Sequence, residues 1–260
     1  MIKKDTISYI PGIILPILIG ILVIPIYTRV FSPEEYGNYI ALLTIFSVIQ
    51  ALSSSWIGST IIRFNERYTN EKKTIKFIST SILISAFISV FISIIILIIS
   101  YFSFSKNYSS LFQMIVWLPI YSILATQIEL NLQFFRAKRE IKSYNIFVIL
   151  KAILAPALIL LSYQFFENEL AFVLGTIFAN FVLIVIIITK ENYIDILSFK
   201  NFDKQITKTI IAFGLPLAPT FLSSNAIDVS ERFLIGFFEN AEQLGIYGVA
   251  QTFSKNPISL

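Results

Sequence analysis

The chain contains about seven apolar stretches, each close to 20 residues long, separated by short polar loops. A hydrocarbon core about 30 Å thick needs about 20 apolar residues of helix to cross it. Over the whole chain, 56% of residues are hydrophobic, only 14% are charged, and the mean hydropathy is +0.77. The sequence therefore predicts an all-α fold, a polytopic transmembrane helix bundle, rather than a water-soluble domain.

The predicted spans follow one another with short connections. We place them at 7–28, 39–61, 77–102, 111–134, 144–164, 170–189 and 210–237, with an eighth span beginning near Gly245. The first stretch follows Lys3 and Lys4, as the apolar core of a signal peptide would. No small-residue cleavage site follows it, so we interpret it as a retained span.

Basic residues are concentrated in alternate loops. The N-terminus and the loops 62–76, 135–143 and 190–209 together hold 15 of the 20 Lys and Arg residues, whereas the other loops hold only Arg29 and Lys106. Short cytoplasmic loops carry an excess of Lys and Arg, so the pattern predicts a cytoplasmic N-terminus. Beside membrane spans such loops set topology and contact anionic lipids, so we expect membrane lipids and no nucleic acid as partners.

The chain contains neither Cys nor His. This composition excludes disulfides, thiolate nucleophiles, imidazole acid-base catalysis and the usual zinc sites. The sequence also lacks a GxxxxGK[ST] phosphate-binding loop, so it gives no support to direct ATP hydrolysis. We expect no cofactor, no metal site and no enzymatic activity.

Prolines are frequent inside the predicted spans. Within a membrane such residues persist where neighbouring helices or water satisfy the freed carbonyl groups. They therefore predict bent helices around a cavity, although proline is also common in membrane helices without such a role. The prolines concerned are Pro11, Pro16, Pro25, Pro119, Pro156, Pro216 and Pro219.

Residues 31–39 and 239–247 share the pattern Glu-x-x-Gly-x-Tyr at an offset of 208 residues. Each segment follows an outward-running span and leads into the next one. A repeat at this offset makes spans seven and eight equivalent to spans one and two, as in transporters built from parallel repeats. We therefore divide the chain into a first lobe at 1–205 and the start of a second at 206–260, and we expect the chain to be truncated.

Four segments carry a resemblance to a known family: residues 27–39, 61–64, 213–216 and 228–250. They resemble the Wzx-type O-antigen and capsule repeat-unit flippases of polysaccharide biosynthesis, in the multidrug/oligosaccharidyl-lipid/polysaccharide flippase superfamily. The resemblance implies 12 to 14 helices in two lobes and a location in the bacterial cytoplasmic membrane. It also implies export of an undecaprenyl-pyrophosphate-linked oligosaccharide by alternating access, as in lipopolysaccharide assembly, beside other polysaccharide-assembly membrane proteins.

Polar side chains inside span seven form the first group of candidate site residues. Asn225, Asp228 and Arg232 recur at i, i+3 and i+7, which places them on one helical face, and Asp228 can pair with Arg232. Glu231 adds an unmatched negative charge. Ionisable groups at membrane depth are costly, so the cluster predicts contact with substrate or a coupling ion. The alternative is a neutralised structural pair between helices.

A second group lies nearer the basic loops and at the end of span one. Glu129 and Lys151 fall at similar depths on adjacent antiparallel spans and can form an ion pair, with a structural role or a role in substrate contact and gating. Glu129 is also a candidate for contact with a coupling ion. The pyrophosphate of the implied substrate requires cations, for which arginine is well suited. Arg29, Lys151 and Arg232 are our candidates, whereas Arg63 is better explained as an interfacial arginine.

Three other functions remain open at this point. A cation-coupled drug exporter of the same superfamily would favour a more acidic cavity than these cations indicate. A polytopic glycan polymerase or glycosyltransferase would be expected to carry a large loop with acid or base residues, but the longest hydrophilic loop has about 20 residues. The third alternative is an inactive fragment.

Overall fold

The computed structural model describes residues 2–68, 71–104, 110–191 and 199–258. These residues are almost entirely helical, and no strand occurs among them. The α-helices are α1 (Ile2–Val30), α2 (Pro33–Gln50), α3 (Trp56–Phe64), α4 (Glu71–Phe104), α5 (Ser110–Val116), α6 (Leu118–Ala137), α7 (Ile141–Phe166), α8 (Leu170–Glu191), α9 (Lys204–Gly214), α10 (Ala218–Phe238) and α11 (Ala241–Ile258).

The all-α membrane class is confirmed. Six described stretches are long and apolar enough to cross a membrane, namely Ile7–Val30, Pro33–Tyr68, Lys73–Phe102, Ile141–Phe166, Leu170–Lys190 and Lys204–Phe238. Helices α5 and α6, which meet at an angle of 57°, make a seventh if they are counted as one span. The predicted eighth helix is α11, which begins at Ala241, before the predicted start near Gly245.

The second span begins earlier than predicted. Ser32 caps α2: its side chain accepts a hydrogen bond from Glu35 N, and its own backbone N–H donates to Glu35 Oε2 at 2.7 Å. Pro33 occupies the first turn, where its missing N–H costs no hydrogen bond. Residues 33–38, which we had assigned to a loop, are therefore the first turns of a helix. The Ser-x-x-Glu spacing is the signal that identifies this start.

Two spans are interrupted within their length. A π-helical turn, Ala51–Ser55, separates α2 from α3, and a 3-10 turn, Leu215–Leu217, separates α9 from α10. The 3-10 turn contains Pro216, and Pro119 follows the 57° bend between α5 and α6. By contrast, α1 is continuous through its three prolines, and α7 is continuous through Pro156.

The bundle has two ends, each with its own hydrophobic cluster. We call the end that holds the turn Asn65–Tyr68 and the connections 137–141 and 199–204 the basic end, and the opposite end, with the connections 30–33, 166–170 and 238–241, the acidic end. The cluster near the basic end includes Trp56, Phe77, Phe134, Phe135, Phe147 and Ile210. The cluster near the acidic end includes Tyr27, Phe31, Tyr36, Ile40, Phe172 and Leu244.

A row of buried serines joins α4 to α6. Ser81, Ser85, Ser89 and Ser93 recur every four residues on α4, and all four are fully buried. Ser93 Oγ lies 2.8 Å from Ser122 Oγ on α6. Small residues let membrane helices approach closely, so this row explains the tight packing of the two helices.

Candidate functional site

A cavity of about 300 Å³ lies between α10 on one side and α2 with the π-helical turn on the other. Its walls combine apolar surface with a few polar groups, and no charged residue lines it. Ser47, Val48, Ala51, Leu222, Asn225, Ala226, Val229, Ser230 and Phe233 line the cavity.

The polar groups of this cavity are two hydroxyls and one amide. Ser47 Oγ donates to Thr44 O at 2.7 Å, and Ser230 Oγ donates to Ile227 O at 2.8 Å, so both hydroxyl protons are used within their own helices. Asn225 is exposed, and its Nδ2 makes a long contact of 3.4 Å with Phe221 O. The wall therefore offers oxygen acceptors and an adaptable amide beside apolar side chains, which suits a ligand with both polar and apolar parts.

The charged residues of α10 contact α11. Arg232 donates from Nε and Nη2 to Gln251 Oε1 at 2.8 and 2.7 Å, and Tyr247 OH donates to Glu231 Oε2 at 2.5 Å. Arg232 thus has Gln251 on α11 as a partner, and the pairing of Arg232 with Asp228 stays a prediction. Glu231, which we expected to be unmatched, has Tyr247 as its partner.

The predicted common face of α10 is thus divided between two neighbours. Asn225 lines the cavity beside α2, whereas Arg232 reaches towards α11. Sequence reasoning missed Gln251 and Tyr247, although their four-residue spacing places them on one face of α11. Gln251 is 6% exposed, and its Nε2 has no hydrogen-bond partner among the residues that the structure describes. Because arginine can only donate, the amide oxygen must face Arg232, which fixes the orientation of this amide.

The predicted ion pair between α6 and α7 is confirmed. Lys151 Nζ lies 2.5 Å from Glu129 Oε1, and the two side chains are 35% and 26% exposed. The pair lies near the cluster of the basic end, since Ile128 and Leu130 belong to that cluster. Among the described hydrogen bonds and ion pairs, none joins Lys151 to Arg232. These two predicted substrate-binding cations therefore lie at separate sites.

Arg29 and Arg63 lie at opposite ends of the bundle. Arg29 is exposed in the last turn of α1 and makes no hydrogen bond or ion pair with another described residue. The guanidinium of Arg63 lies 5.0 Å from the ring centre of Phe213 on α9 and 5.9 Å from that of Phe64. Arg63 therefore contributes to a helix contact in addition to its interfacial position.

Asp203 anchors the start of α9 at the basic end. Its carboxylate accepts hydrogen bonds from the N–H groups of Gln205 and Ile206, and Lys76 Nζ lies 3.5 Å away. The Ile206 N–H bond, followed by the Gln205 N–H bond and the charge of Lys76, holds the pKa of the Asp203 carboxyl below its usual value. The backbone N–H of Asp203 donates to Thr80 Oγ1 at 3.1 Å. Asp203 therefore ties α9 to α4.

Metal binding finds no support in the described side chains: among them, no group of three or more acidic residues is arranged to hold a metal ion. The described side chains around the candidate site offer hydrogen bonds, single cations and apolar contacts.

Comparisons with solved structures show the fold. The chain is similar to a MATE crystallised in complex with MaD3S, with a TM-score of 0.65 and 16% identity over 98% of this chain and 62% of that one. It is also similar to a MATE crystallised in complex with Br-NRF, with a TM-score of 0.59 and 15% identity over 98% of this chain and 63% of that one. The chain thus spans somewhat over three fifths of the length of these transporters.

Comparisons of sequence give the family. No curated protein matches the chain. Residues 2–260 match the family described as polysaccharide biosynthesis protein, which is nearly the whole chain. The helical bundle, the spans and the similarity to MATE structures agree with that match. The chain therefore belongs to the polysaccharide biosynthesis protein family, a transporter family of the multidrug/oligosaccharidyl-lipid/polysaccharide flippase superfamily, and is a multi-pass membrane protein.

Proposed function

We propose that the chain belongs to a Wzx-type flippase that moves an undecaprenyl-pyrophosphate-linked oligosaccharide from the cytoplasmic to the outer leaflet of the bacterial cytoplasmic membrane. Transport proceeds by alternating access between two lobes, with the basic end facing the cytoplasm. The family match supports the substrate class, and the charge distribution of the loops supports the orientation.

The observation that carries this proposal is the cavity between α2 and α10. Its two walls come from the two segments that the repeat assigns to different lobes, 1–205 and 206–260. A lipid-linked glycan has a polar head and an apolar tail, and the wall combines Ser47, Asn225 and Ser230 with apolar side chains. In this proposal Asn225 donates to a sugar hydroxyl, and the apolar surface accompanies the lipid.

Cationic residues near the path have the role of contacting the pyrophosphate. Arg232 lies at the junction of α10 and α11 with two of its donors held by Gln251. Arg29 stands exposed at the acidic end, where the substrate is released in this proposal. Lys151, paired with Glu129, becomes available to an anion only when that pair separates, which makes the pair a candidate gate. Asp228 and Glu231 remain the candidates for coupling-ion contact.

Complementation of a strain that lacks its own flippase tests the proposal. The change is Arg232→Ala, and we expect reduced export of the lipid-linked glycan at an unchanged level of membrane insertion, because a pyrophosphate contact is lost. Arg63→Ala is the matched control, since Arg63 packs on Phe213 and has no proposed substrate contact. Normal export by the Arg232→Ala protein contradicts the assigned role.

Removing and restoring the protein in cells also tests the substrate class. We expect lipid-linked glycan to accumulate in the inner leaflet when the protein is absent and to be exported when it is restored. Export of cationic drugs without any effect on the glycan would instead identify a drug exporter. Release of free or lengthened glycan inside the membrane would identify an enzyme.

A further inference from the structure

The two segments that share the repeat pattern lie against each other. Gly37 on α2 and Gly245 on α11 are equivalent at the offset of 208 residues. A Cβ atom built on Gly37 would collide with the Ala241 carbonyl oxygen and lie 3.0 Å from Gly245 N. A Cβ atom built on Gly245 would collide with the Pro33 carbonyl oxygen and lie 3.0 Å from Gly37 N. The two backbones therefore touch where both side chains are absent.

The contact is reciprocal, as a two-fold axis requires. Pro33 and Ala241 are equivalent at the same offset, and each supplies the carbonyl group that lies over the other repeat's glycine. Ile40 and Gly248 are equivalent as well, and a Cβ atom on Gly248 would lie 2.7 Å from Ile40 Cγ1. A contact in which residue i meets j, and the equivalent of i meets the equivalent of j, is the signature of an isologous interface.

The helix starts are matched in the same way. Ser32 and Asn240 are equivalent, and each accepts a hydrogen bond from the backbone N–H three residues later, at 3.2 Å from Glu35 and 2.8 Å from Gln243. The two helices therefore begin at the same level of the acidic end and run in parallel. Their positive N-terminal dipole ends lie side by side, and Glu34, Glu35 and Glu242 in the first turns offset the repulsion.

We propose that the reciprocal Gly37–Gly245 contact is the seal of the acidic end and that α2 and α11 separate there when the transporter opens to that side. The inference rests on the proposed function for its direction, because a transport path must open at this end. Backbone contact has two consequences. It leaves no room for the substrate between Gly37 and Gly245 when closed, and at these two positions no side chain has to be withdrawn before it opens.

Labelling of a single cysteine tests the seal without any transport measurement. The chain has no Cys, so Ile40→Cys introduces the sole thiol. Ile40 is 4% exposed and lies three residues beyond Gly37, about 4.5 Å deeper along the helix. We expect slow reaction with a membrane-impermeant maleimide added from the acidic end. In the Gly245→Ala background we expect the rate to rise about tenfold or more, because a methyl group cannot fit the closed contact.

Gly236→Ala is the matched control. A Cβ atom on Gly236 would lie 3.4 Å from Leu244 Cδ2, an ordinary van der Waals distance, so this alanine fits. We expect it to leave the labelling rate of the Ile40→Cys thiol unchanged. Equal labelling rates with alanine at 245 and at 236 overturn the proposal.

A disulfide provides the second measurement, in a protein that keeps Gly37 and Gly245. In the Ile40→Cys/Gly248→Cys protein we expect rapid cross-linking in membranes, loss of export when oxidised, and recovery on reduction. Absence of cross-linking overturns the proposal, even if Gly245→Ala fails to insert. Export by the oxidised protein at the same rate as by the reduced protein also overturns the proposal. Absence of glycan export in both the oxidised and the reduced protein contradicts the proposed function. The labelling rates then still show whether the Gly37–Gly245 contact is a seal.

Discussion

The two ends of the bundle hold the same two parts of the chain together by different means. At the acidic end α2 meets α11 through backbone atoms at Gly37 and Gly245. At the basic end α3 meets α9 through side chains, with Arg63 over the Phe213 ring and the Trp56 ring against Gly214. A backbone contact either fits or separates, whereas a side-chain contact can adjust by rotamer changes. In our proposal the acidic end opens, whereas the contact between α3 and α9 at the basic end persists.

The break between α9 and α10 separates the part of the span that packs at the basic end from the part that packs beside α2 and α11. Helix α9 buries Ile206, Ile210 and Gly214 against α3 and α4, while α10 keeps most of its surface exposed and pairs with α2 and α11. The 3-10 turn Leu215–Leu217 separates the two helices. A span with this division can keep its α9 half fixed while its α10 half moves.

The largest expected effect comes from Trp56→Ala at the basic end. Trp56 is 1% exposed, so its removal leaves a large cavity and should lower the free energy of unfolding by about 3–5 kcal/mol. Thermal unfolding in detergent measures the change. Trp117→Ala is the control, because Trp117 is 37% exposed, and it should cost less than half as much. Equal losses would mean that the α3–α9 contact does not depend on this ring.

The next effect is that of Gly214→Ala. The added methyl group would collide with the Trp56 ring and lie 2.7 Å from Thr60 Oγ1, so we expect a loss of about 1–3 kcal/mol in the free energy of unfolding. Gly236→Ala, in which the methyl group fits, should be neutral or slightly stabilising, since alanine favours helix. Because the basic-end contact persists in our comparison, Gly214→Ala should change stability without raising the Ile40→Cys labelling rate. A rise at the acidic end would break the comparison.

A third, smaller effect concerns Asp203. Asp203→Ala removes the cap of α9 and should cost about 1 kcal/mol of unfolding free energy. Asp203→Asn keeps a capping side chain but removes the charge. The native carboxyl has a lowered pKa, so its charge stabilises the fold above the unfolded value of about 3.9, and this contribution disappears as the pH falls through the folded value.

Unfolding of the native and Asp203→Asn proteins between pH 3 and pH 7 checks this sign. The native protein should be the more stable at pH 7, and the difference should shrink below about pH 4. A difference that grows with falling pH would contradict the hydrogen-bonding arrangement around the carboxylate.

The smallest expected effect is that of Arg63→Ala. Loss of the guanidinium over Phe213 should cost about 0.5–1 kcal/mol of unfolding free energy, because cation–π contacts at partly exposed sites are weak. Arg67→Ala, an exposed arginine in the turn after α3, is the control for loss of charge alone. If the two substitutions have equal effects, the Phe213 ring adds nothing to the basic-end contact.

Much of the fold could be predicted from sequence because the membrane imposes it. Span length follows from the thickness of the hydrocarbon, so the ends of the fifth and sixth spans were predicted to within three residues. The pairing of Glu129 with Lys151 followed from depth on two adjacent helices joined by a short turn. Both inferences need only local spacing along the chain.

The partners of Arg232 and Glu231 could not be predicted in that way. Spacing within α10 could not identify Gln251 as a partner of Arg232 or Tyr247 as a partner of Glu231, because both partners lie on α11. Which face of α10 meets α11 depends on the packing of whole helices, and no pattern within α10 records it. The π-helical turn was missed for a similar reason, since Ala51–Ser55 reads as ordinary helix in sequence. The two-lobe division at 205 and 206 stays a proposal.

The π-helical turn has a consequence for the phase of the second span. Each residue of an α-helix advances the side chain by about 100°, so the extra residue of a π turn rotates everything beyond it relative to an unbroken helix. The face of α2 that carries Gly37 and the face of α3 that carries Trp56 are therefore set independently of each other. Deleting one residue from 51–55 would bring both halves into a single phase, and the span could then no longer present its correct face to α11 and to α9 at once.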